Sequence, residues 1–194
     1  MNHILPHIDP TKEWIVFGKG PSFDPSVVLR FPDAKTMCIN NTANFVVADI
    51  CIMCDFPAVI NLNEFAFEHT KMFALPASIN RGIVGGGPDT AIFWVDQAHL
   101  FQKLQGRTNY FDINLSFSRY FPSELTAHIH VSTFEAVIWL FAFAGVKKVY
   151  TSGVDHSVSY SNKFESRTEV VPYSAVPYYT KMVTDTFGIE VVAL

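Results

Sequence analysis

Short apolar stretches recur along the chain, separated by polar segments that carry Gly, Pro, Asn or Asp. These stretches are rich in β-branched and aromatic residues, which is typical of β-strands. Several are apolar throughout rather than alternating, as expected of strands that helices cover on both faces. The predicted strands are residues 14–18, 36–40, 50–55, 71–76, 109–114, 147–153 and 189–194.

Three segments between these strands fit helices, at residues 90–105, 132–145 and 176–188. The second begins with Ser132 as a cap, and Glu135 three residues later completes a predicted capping box. The second and third segments both end at a glycine. Strands that alternate with helices predict an α/β, Rossmann-like fold with a mainly parallel sheet and helices on both faces.

The composition bounds the architecture further. The chain has 194 residues, of which 49% are hydrophobic and 16% charged, which predicts a single domain over 1–194 with a buried core. A segment at about 157–177 is predicted to form a short lid. No apolar run reaches the roughly 18 residues that a membrane helix needs. The first ten residues lack the basic start and apolar centre of a signal peptide, so we expect a cytoplasmic protein.

The charge pattern argues against duplex nucleic acid as a partner. The net charge is −4 and there is no basic run. A nucleotide remains compatible, because backbone amides and one or two cations can hold a phosphate. The 18 phenylalanines suggest that some aromatic side chains line a cleft or a subunit contact, and an aromatic-rich chain of this size often forms a homo-oligomer.

Cys51 and Cys54 form a C-x-x-C sequence, which can bind zinc or carry redox chemistry. The pair lies inside a strand-like run, where alternate residues face opposite ways, and no second pair follows it. Core packing is therefore the favoured interpretation.

Small and polar residues follow several of the predicted strands. In an open parallel sheet, ligands bind at the carboxyl ends of the strands, so one ligand could touch all of these residues. The residues in question are Gly18, Lys19, Gly20 and Ser22, then Asn40 and Asn41, then Asp55, and finally Ser152, Gly153, Asp155 and His156.

The first of these segments reads "GKGPS". Its two glycines allow a tight turn and a close approach to a ligand, Ser22 can donate a hydrogen bond, and Lys19 brings a positive charge. The spacing matches neither the dinucleotide G-x-G-x-x-G nor the P-loop. A plain turn and a backbone cradle for phosphate both remain open.

Taken together, four segments resemble a known group of enzymes: "FGKGPS", "CINN", an apolar strand that ends in Asp, and "STFEAVIWLFAFAGVKKVYTSGVD". The group comprises small bacterial sialyltransferases that use a cytidine-monophosphate sugar. Its looser relatives are motility-associated flagellin-glycosylation proteins and archaeal hydroxymethylpterin pyrophosphokinases. The resemblance covers most of residues 14–155.

The resemblance implies a nucleotide-binding role for ten residues. Those of the first loop would surround the phosphate and ribose, an Asn after the second strand would contact the nucleotide, a helix start would supply hydroxyls and amides, and the late strand would close the pocket floor. In that order, they are Gly18, Lys19, Gly20 and Ser22; Asn40 or Asn41; Ser132 and Thr133; and Ser152 and Gly153, with Asp155 beside them.

Two positions depart from the pattern of the group. Lys19 stands where the sialyltransferases usually have Asn, and 157–177 lacks the lid histidine that serves them as general base. His156, which follows Asp155, is the last histidine of the chain. It is either the base or a loop histidine without a catalytic task.

The main hypothesis is a glycosyltransferase-like enzyme with His156, Lys19 and Asp155 as catalytic residues. It would take a nucleotide-sugar donor of the CMP type and a hydroxyl acceptor, and it would require no cofactor. One alternative is a pyrophosphokinase-like enzyme in which Asp55 and Asp155 hold Mg²⁺. Another is an inactive nucleotide-binding or scaffold protein, which the lid without a histidine suggests.

Overall fold

A computed structural model describes residues 3–54, 57–76, 102–104, 106–111, 113–114, 127–128, 132–155, 160–164 and 176–194. The strands in these residues are Trp14–Phe17 (β1), Lys35–Ile39 (β2), Ala48–Ile52 (β3), Thr70–Pro76 (β4), Thr108–Phe111 (β5), Ile113–Asn114 (β6), Ala127–His128 (β7), Lys148–Ser152 (β8) and Glu190–Ala193 (β9). The α-helices are Pro57–Ile60 (α1), Glu64–His69 (α2), Thr133–Ala144 (α3) and Val176–Phe187 (α4). Short 3-10 helices span Leu5–His7, Pro25–Arg30 and Asn40–Asn44.

Seven strands form one sheet in the order β5-β4-β3-β2-β1-β8-β9, and every pair in it is parallel. β1 is an interior strand, with Val16 between Met37 of β2 and Thr151 of β8. All four residues of β1 are buried, which explains its unbroken apolar sequence. The predicted α/β, Rossmann-like class with a parallel sheet is confirmed.

The sheet carries a hydrophobic cluster on each face. Trp14 and Val16 belong to the cluster that contains α3 and part of α4. Ile15 and Phe17 belong to the other cluster, which contains residues of α1 and α2. Successive side chains of a strand point to opposite faces, so β1 alone contributes two buried side chains to each layer. Full burial of such a side chain stabilises the fold by roughly 1.5–3 kcal/mol.

The direction of α3 follows from one aromatic contact. Trp14, the first residue of β1, and Phe141, near the end of α3, have ring centroids 5.4 Å apart. α3 therefore runs antiparallel to β1. Its carboxyl end, at Gly145 with a φ of 84°, leads into β8, and its amino end lies at the carboxyl edge of the sheet.

Several local predictions need correction. The predicted strand 109–114 is divided, because β5 joins the large sheet while β6 pairs with β7. Residues 57–69, given no element from the sequence, contain α1 and α2, which are too short to show a helical period. Of the predicted helix 90–105, the structure describes only 102–104, which are helical.

The predicted capping box is also only partly right. Ser132 does cap α3, but its hydroxyl accepts from the amide of Phe134 rather than from that of Glu135. Glu135 is 3% exposed in the first helical turn.

The C-x-x-C residues lie on different sides of the sheet. Cys51 is buried in the cluster with α1 and α2, whereas Cys54 packs against the cluster with α3. Burial raises the pKa of Cys38 to about 12 and that of the Cys51 thiol well above its ordinary value. These thiols are therefore protonated core side chains at neutral pH.

No helix within the described ranges is long and apolar enough to cross a membrane.

Candidate functional site

The strand order reverses at β1, because β2 lies on one side of it and β8 on the other. In open parallel sheets, ligands bind at such a switch point, outside the carboxyl ends of the strands. The segments that leave the sheet at this point are residues 18–24 after β1, here called the first loop, and 153–155 after β8, here called the β8 loop. These are two of the segments that the sequence predicted to converge.

Backbone contacts hold the two loops together. The amide of Gly18 donates to the carbonyl oxygen of Ser152 at 2.8 Å, and that of Gly20 donates to the carbonyl oxygen of Gly153 at 2.7 Å. A Cβ atom at Gly18 would collide with the carbonyl of Gly153, and one at Gly153 would collide with that of Gly18. Gly153 also has a φ of 74°. Glycine is therefore required here by the contact between the loops.

Side-chain bonds reinforce this contact. The hydroxyl of Ser22 donates to Oδ1 of Asp155, and the amide of Ser22 donates to Oδ2 at 2.9 Å. The amide of Gly153 donates to the Ser22 hydroxyl at 3.0 Å. We call the contacts among Gly18, Gly20, Ser22, Ser152, Gly153 and Asp155 the interloop lock.

Ser152 takes part from inside the core. Its side chain is fully buried. Its hydroxyl accepts from the amide of Asp24 at 2.8 Å and lies 3.2 Å from the carbonyl oxygen of Ser22. Ser152 thus fixes the far end of the first loop.

The interloop lock uses most of the amides that were candidates for a phosphate cradle in the first loop. The amides of Gly18, Gly20 and Ser22 already donate to oxygens of β8 and the β8 loop, and Pro21 has no N–H. These groups are therefore not directed at a phosphate. The sequence "GKGPS" uses these three amides to form a junction between two loops.

Lys19 is the cationic side chain of the first loop. It is partly buried, and its Nζ lies 4.5 Å from the centroid of the Tyr160 ring. The carbonyl oxygen of Lys19 accepts from the amide of Ser161 at 2.8 Å. Residues 160–164, which belong to the predicted lid segment, are therefore seated on the first loop. The sequence gives no signal for the Lys19–Tyr160 pair, because only the fold brings the two residues together.

Asn40 and Asn41 follow β2 at the same edge. Asn40 has a φ of 55°, and its Oδ1 atom is buried with no hydrogen-bond partner among the described residues. The hydroxyl of Thr42 donates to the carbonyl oxygen of Phe17 at 3.1 Å, which fastens this turn to the end of β1. A strained backbone and an unsatisfied buried acceptor cost about 1–3 kcal/mol each, and such costs concentrate at functional sites.

The amino end of α3 lies at this edge as well, as its direction requires. Ser132 and Thr133 are both partly buried. The Ser132 hydroxyl is used to cap the helix, at 3.1 Å from the amide of Phe134. This leaves the Thr133 side chain and the positive end of the helix dipole as groups that an anion could use.

The predicted acid–base and metal residues are described only in part. His156 and Asp55 lie outside the described residues. Both carboxylate oxygens of Asp155 accept hydrogen bonds from Ser22. The described ranges contain no group of three or more His, Cys, Asp or Glu residues that could hold a metal ion. With Asp55 outside the described residues, the Mg²⁺ alternative stays a prediction.

No protein-family model matches the chain, and no curated protein sequence matches it. Among solved structures, the chain is similar to the sialyltransferase CST-II in complex with a trisaccharide acceptor and CMP, with a TM-score of 0.48 and 13% identity over 94% of this chain and 81% of that one. It is also similar to CstII from Campylobacter jejuni in complex with the substrate analogue CMP-3FNeuAc, with a TM-score of 0.46 and 13% identity over 95% of this chain and 81% of that one. The fold is assigned from the parallel sheet of this chain itself.

Proposed function

We propose that the protein binds a nucleotide-activated sugar of the CMP type at the carboxyl edge of its sheet and transfers the sugar to a hydroxyl acceptor. The observation that carries this proposal is the switch point between β1 and β8, where the first loop and the β8 loop meet. It is joined by the sequence resemblance over 14–155, which includes the residues that follow β1, β2 and β8.

The interloop lock supports the proposal by giving the site a rigid floor. Ligand sites that do chemistry need supporting groups that are held in place by their own contacts. In the proposed site, Gly18, Gly20 and Ser22 shape the floor together with the β8 loop, while other side chains touch the nucleotide. The contacting groups are Lys19, Asn40, Asn41 and Thr133.

The charge of the site suits a phosphate. Lys19 offers an ammonium group, and α3 adds the positive end of its dipole. The buried Oδ1 of Asn40 offers an acceptor that an amino or hydroxyl group of the nucleotide would satisfy.

The proposed reaction is a displacement at the anomeric carbon. The acceptor oxygen forms a bond to that carbon, the bond from the carbon to the phosphate oxygen breaks, and the nucleoside monophosphate leaves. His156 takes the proton from the acceptor hydroxyl, and Lys19 stabilises the charge that develops on the departing phosphate. Loss of activity in a chelator would instead favour the Mg²⁺-dependent alternative, in which Asp55 and Asp155 hold the metal.

The test is a thermal-shift panel with CMP, UDP, GDP and ATP, each with and without Mg²⁺. A ligand at one hundred times its dissociation constant adds about 2.7 kcal/mol of stability, which raises the melting temperature measurably. We expect stabilisation by CMP without Mg²⁺ in the wild type and much less in Lys19→Met. Lys12→Met is the matched control, because Lys12 precedes β1 and thus lies at the opposite edge of the sheet. Stabilisation that is equal in both variants would contradict the site, and no stabilisation by any nucleotide would contradict the function.

A further inference from the structure

The ammonium of Lys19 faces an aromatic ring, at 4.5 Å from the Tyr160 centroid. The backbone makes the same pairing, because the amide of Ser161 donates to the carbonyl oxygen of Lys19 at 2.8 Å. A side-chain contact and a backbone bond thus join the first loop to the same two consecutive residues. The fold therefore holds the first loop and residues 160–161 together through two separate contacts.

The ring itself is anchored. Tyr160 packs against the cluster that contains Phe17 and Phe23. Four residues on, Phe164 is 9% exposed, and its ring meets that of Phe23 at 5.1 Å and that of Phe45 at 5.3 Å, edge to face in both cases. The amide of Phe164 donates to the carbonyl oxygen of Ser161, which closes the turn between the two aromatic residues. Tyr160 is therefore a fixed surface for Lys19.

The face of an aromatic ring attracts an ammonium group electrostatically. Fixing a flexible side chain before a ligand arrives lowers the entropic cost of binding. A lysine held on an aromatic face is therefore pre-organised for a ligand that contacts its ammonium group.

We propose that Tyr160 is a positioning residue that holds Lys19 toward the phosphate of the bound nucleotide, and that it does so through its ring. This inference rests on the proposed function, of which it specifies one part. It adds Tyr160 to the proposed site, and it gives a functional reason for the packing of residues 160–164 against the first loop. Nucleotide binding and the packing of residues 160–164 on the first loop should then stabilise each other.

The experiment compares CMP with cytidine, which lacks the phosphate, by isothermal titration calorimetry. The variants are Lys19→Met, Tyr160→Leu, Tyr160→Phe and the double variant Lys19→Met/Tyr160→Leu, with Tyr178→Leu as a control on an exposed tyrosine. We expect Lys19→Met and Tyr160→Leu each to weaken CMP binding about three- to tenfold and to leave cytidine binding unchanged. Tyr160→Phe should restore most of the CMP affinity, and the double variant should lose no more than Lys19→Met alone.

Specific outcomes would overturn the inference. Equal losses in Tyr160→Phe and Tyr160→Leu would assign the effect to the hydroxyl, and additive losses in the double variant would separate Tyr160 from Lys19. Unchanged CMP binding in Tyr160→Leu would remove Tyr160 from the site while leaving the proposed function intact. A wild type that binds neither CMP nor cytidine would instead overturn the proposed function.

A second measurement reads the pair without any ligand. The ring current of Tyr160 should shift the Cε methylene signal of Lys19 upfield in a ¹H–¹³C correlation spectrum, where Lys19→Met identifies that signal. The shift should remain in Tyr160→Phe and vanish in Tyr160→Leu, or in Tyr160→Met if the leucine variant does not fold. A Lys19 signal at the position of an exposed lysine in the wild type would show that the pair does not form in solution.

Discussion

Ser22 and Asp155 are joined by two hydrogen bonds, although 133 positions separate them in the chain. Both belong to loops at the carboxyl edge of the sheet, and the sequence assigned each a role at a nucleotide. In the structure their polar atoms are directed at each other. Ser22 and Asp155 therefore link the first loop to the β8 loop. Substituting either residue should lower the stability of the protein.

We expect Asp155→Ala to lower the free energy of unfolding by about 0.5–1.5 kcal/mol for each of the two hydrogen bonds from Ser22 that it removes. Urea denaturation measures this change. The effects of Ser22→Ala and Asp155→Ala should be less than additive in the double variant. Asp185→Ala is the control, since its exposed ion pair with Lys181 is worth less than about 1 kcal/mol. Equal losses for Asp155→Ala and Asp185→Ala would show that the lock does not form.

Gly153→Ala should destabilise the protein more than Gly188→Ala. Both glycines have a positive φ, of 74° and 63°, so an alanine is strained at either position. Only at Gly153 would the new Cβ also collide with the backbone of Gly18, whereas nothing lies within 4 Å of a Cβ at Gly188. The difference between the two melting temperatures isolates the loop contact. Similar melting temperatures would mean that the loops can separate at no cost.

Asp49 should make stability depend on pH in the acid range. Burial pushes the pKa of its carboxyl group upward, but hydrogen bonds from Lys71, Thr36 and Lys35 outweigh this, and the pKa lies below its ordinary value of 3.8. A depressed pKa contributes stability that is complete above the unfolded value and is lost as the pH falls through the folded value. Lys71 and Lys35 lie 2.7 and 3.2 Å from Oδ1.

The corresponding measurement compares the unfolding free energy of the wild type with that of Asp49→Asn. The difference should be constant from about pH 5 to neutral and should shrink at more acid pH. Asp185→Asn, at an exposed carboxylate, should show a much smaller difference throughout. A difference for Asp49→Asn that persists unchanged to about pH 2 would contradict the pKa direction.

His156→Ala should lower kcat by about two to four powers of ten if His156 is the general base of the proposed transfer. The dissociation constant for the donor nucleotide should not change, because the base touches the acceptor. His69→Ala, at an exposed helix terminus, is the control. Turnover that is unaffected by His156→Ala would remove this histidine from the mechanism.

The sequence predicted the central part of the sheet well because a strand that is buried on both faces, such as β1, has an unbroken apolar pattern. It also predicted which segments gather at one edge, since parallel strands end together. It did not predict which polar groups would face a ligand. A loop with glycine and serine can bind a phosphate or pack against another loop. The partner of Ser22 in the structure, Asp155, is distant in the chain, so the sequence alone does not distinguish the two arrangements. The sequence also did not predict α1 and α2. Helices of one or two turns are stabilised by their packing and are too short to show a helical period.

The most direct test of the central claim is to map CMP onto the backbone amides by NMR titration of the ¹⁵N-labelled protein. We predict chemical-shift changes that concentrate at residues 18–22, 40–41, 132–133 and 152–155, the segments that end at the carboxyl edge of the sheet. Amides around Asp49 and Lys71, at the opposite edge, should not move. Changes confined to that opposite edge, or no changes at saturating CMP, would contradict a nucleotide site at the junction of β1 and β8.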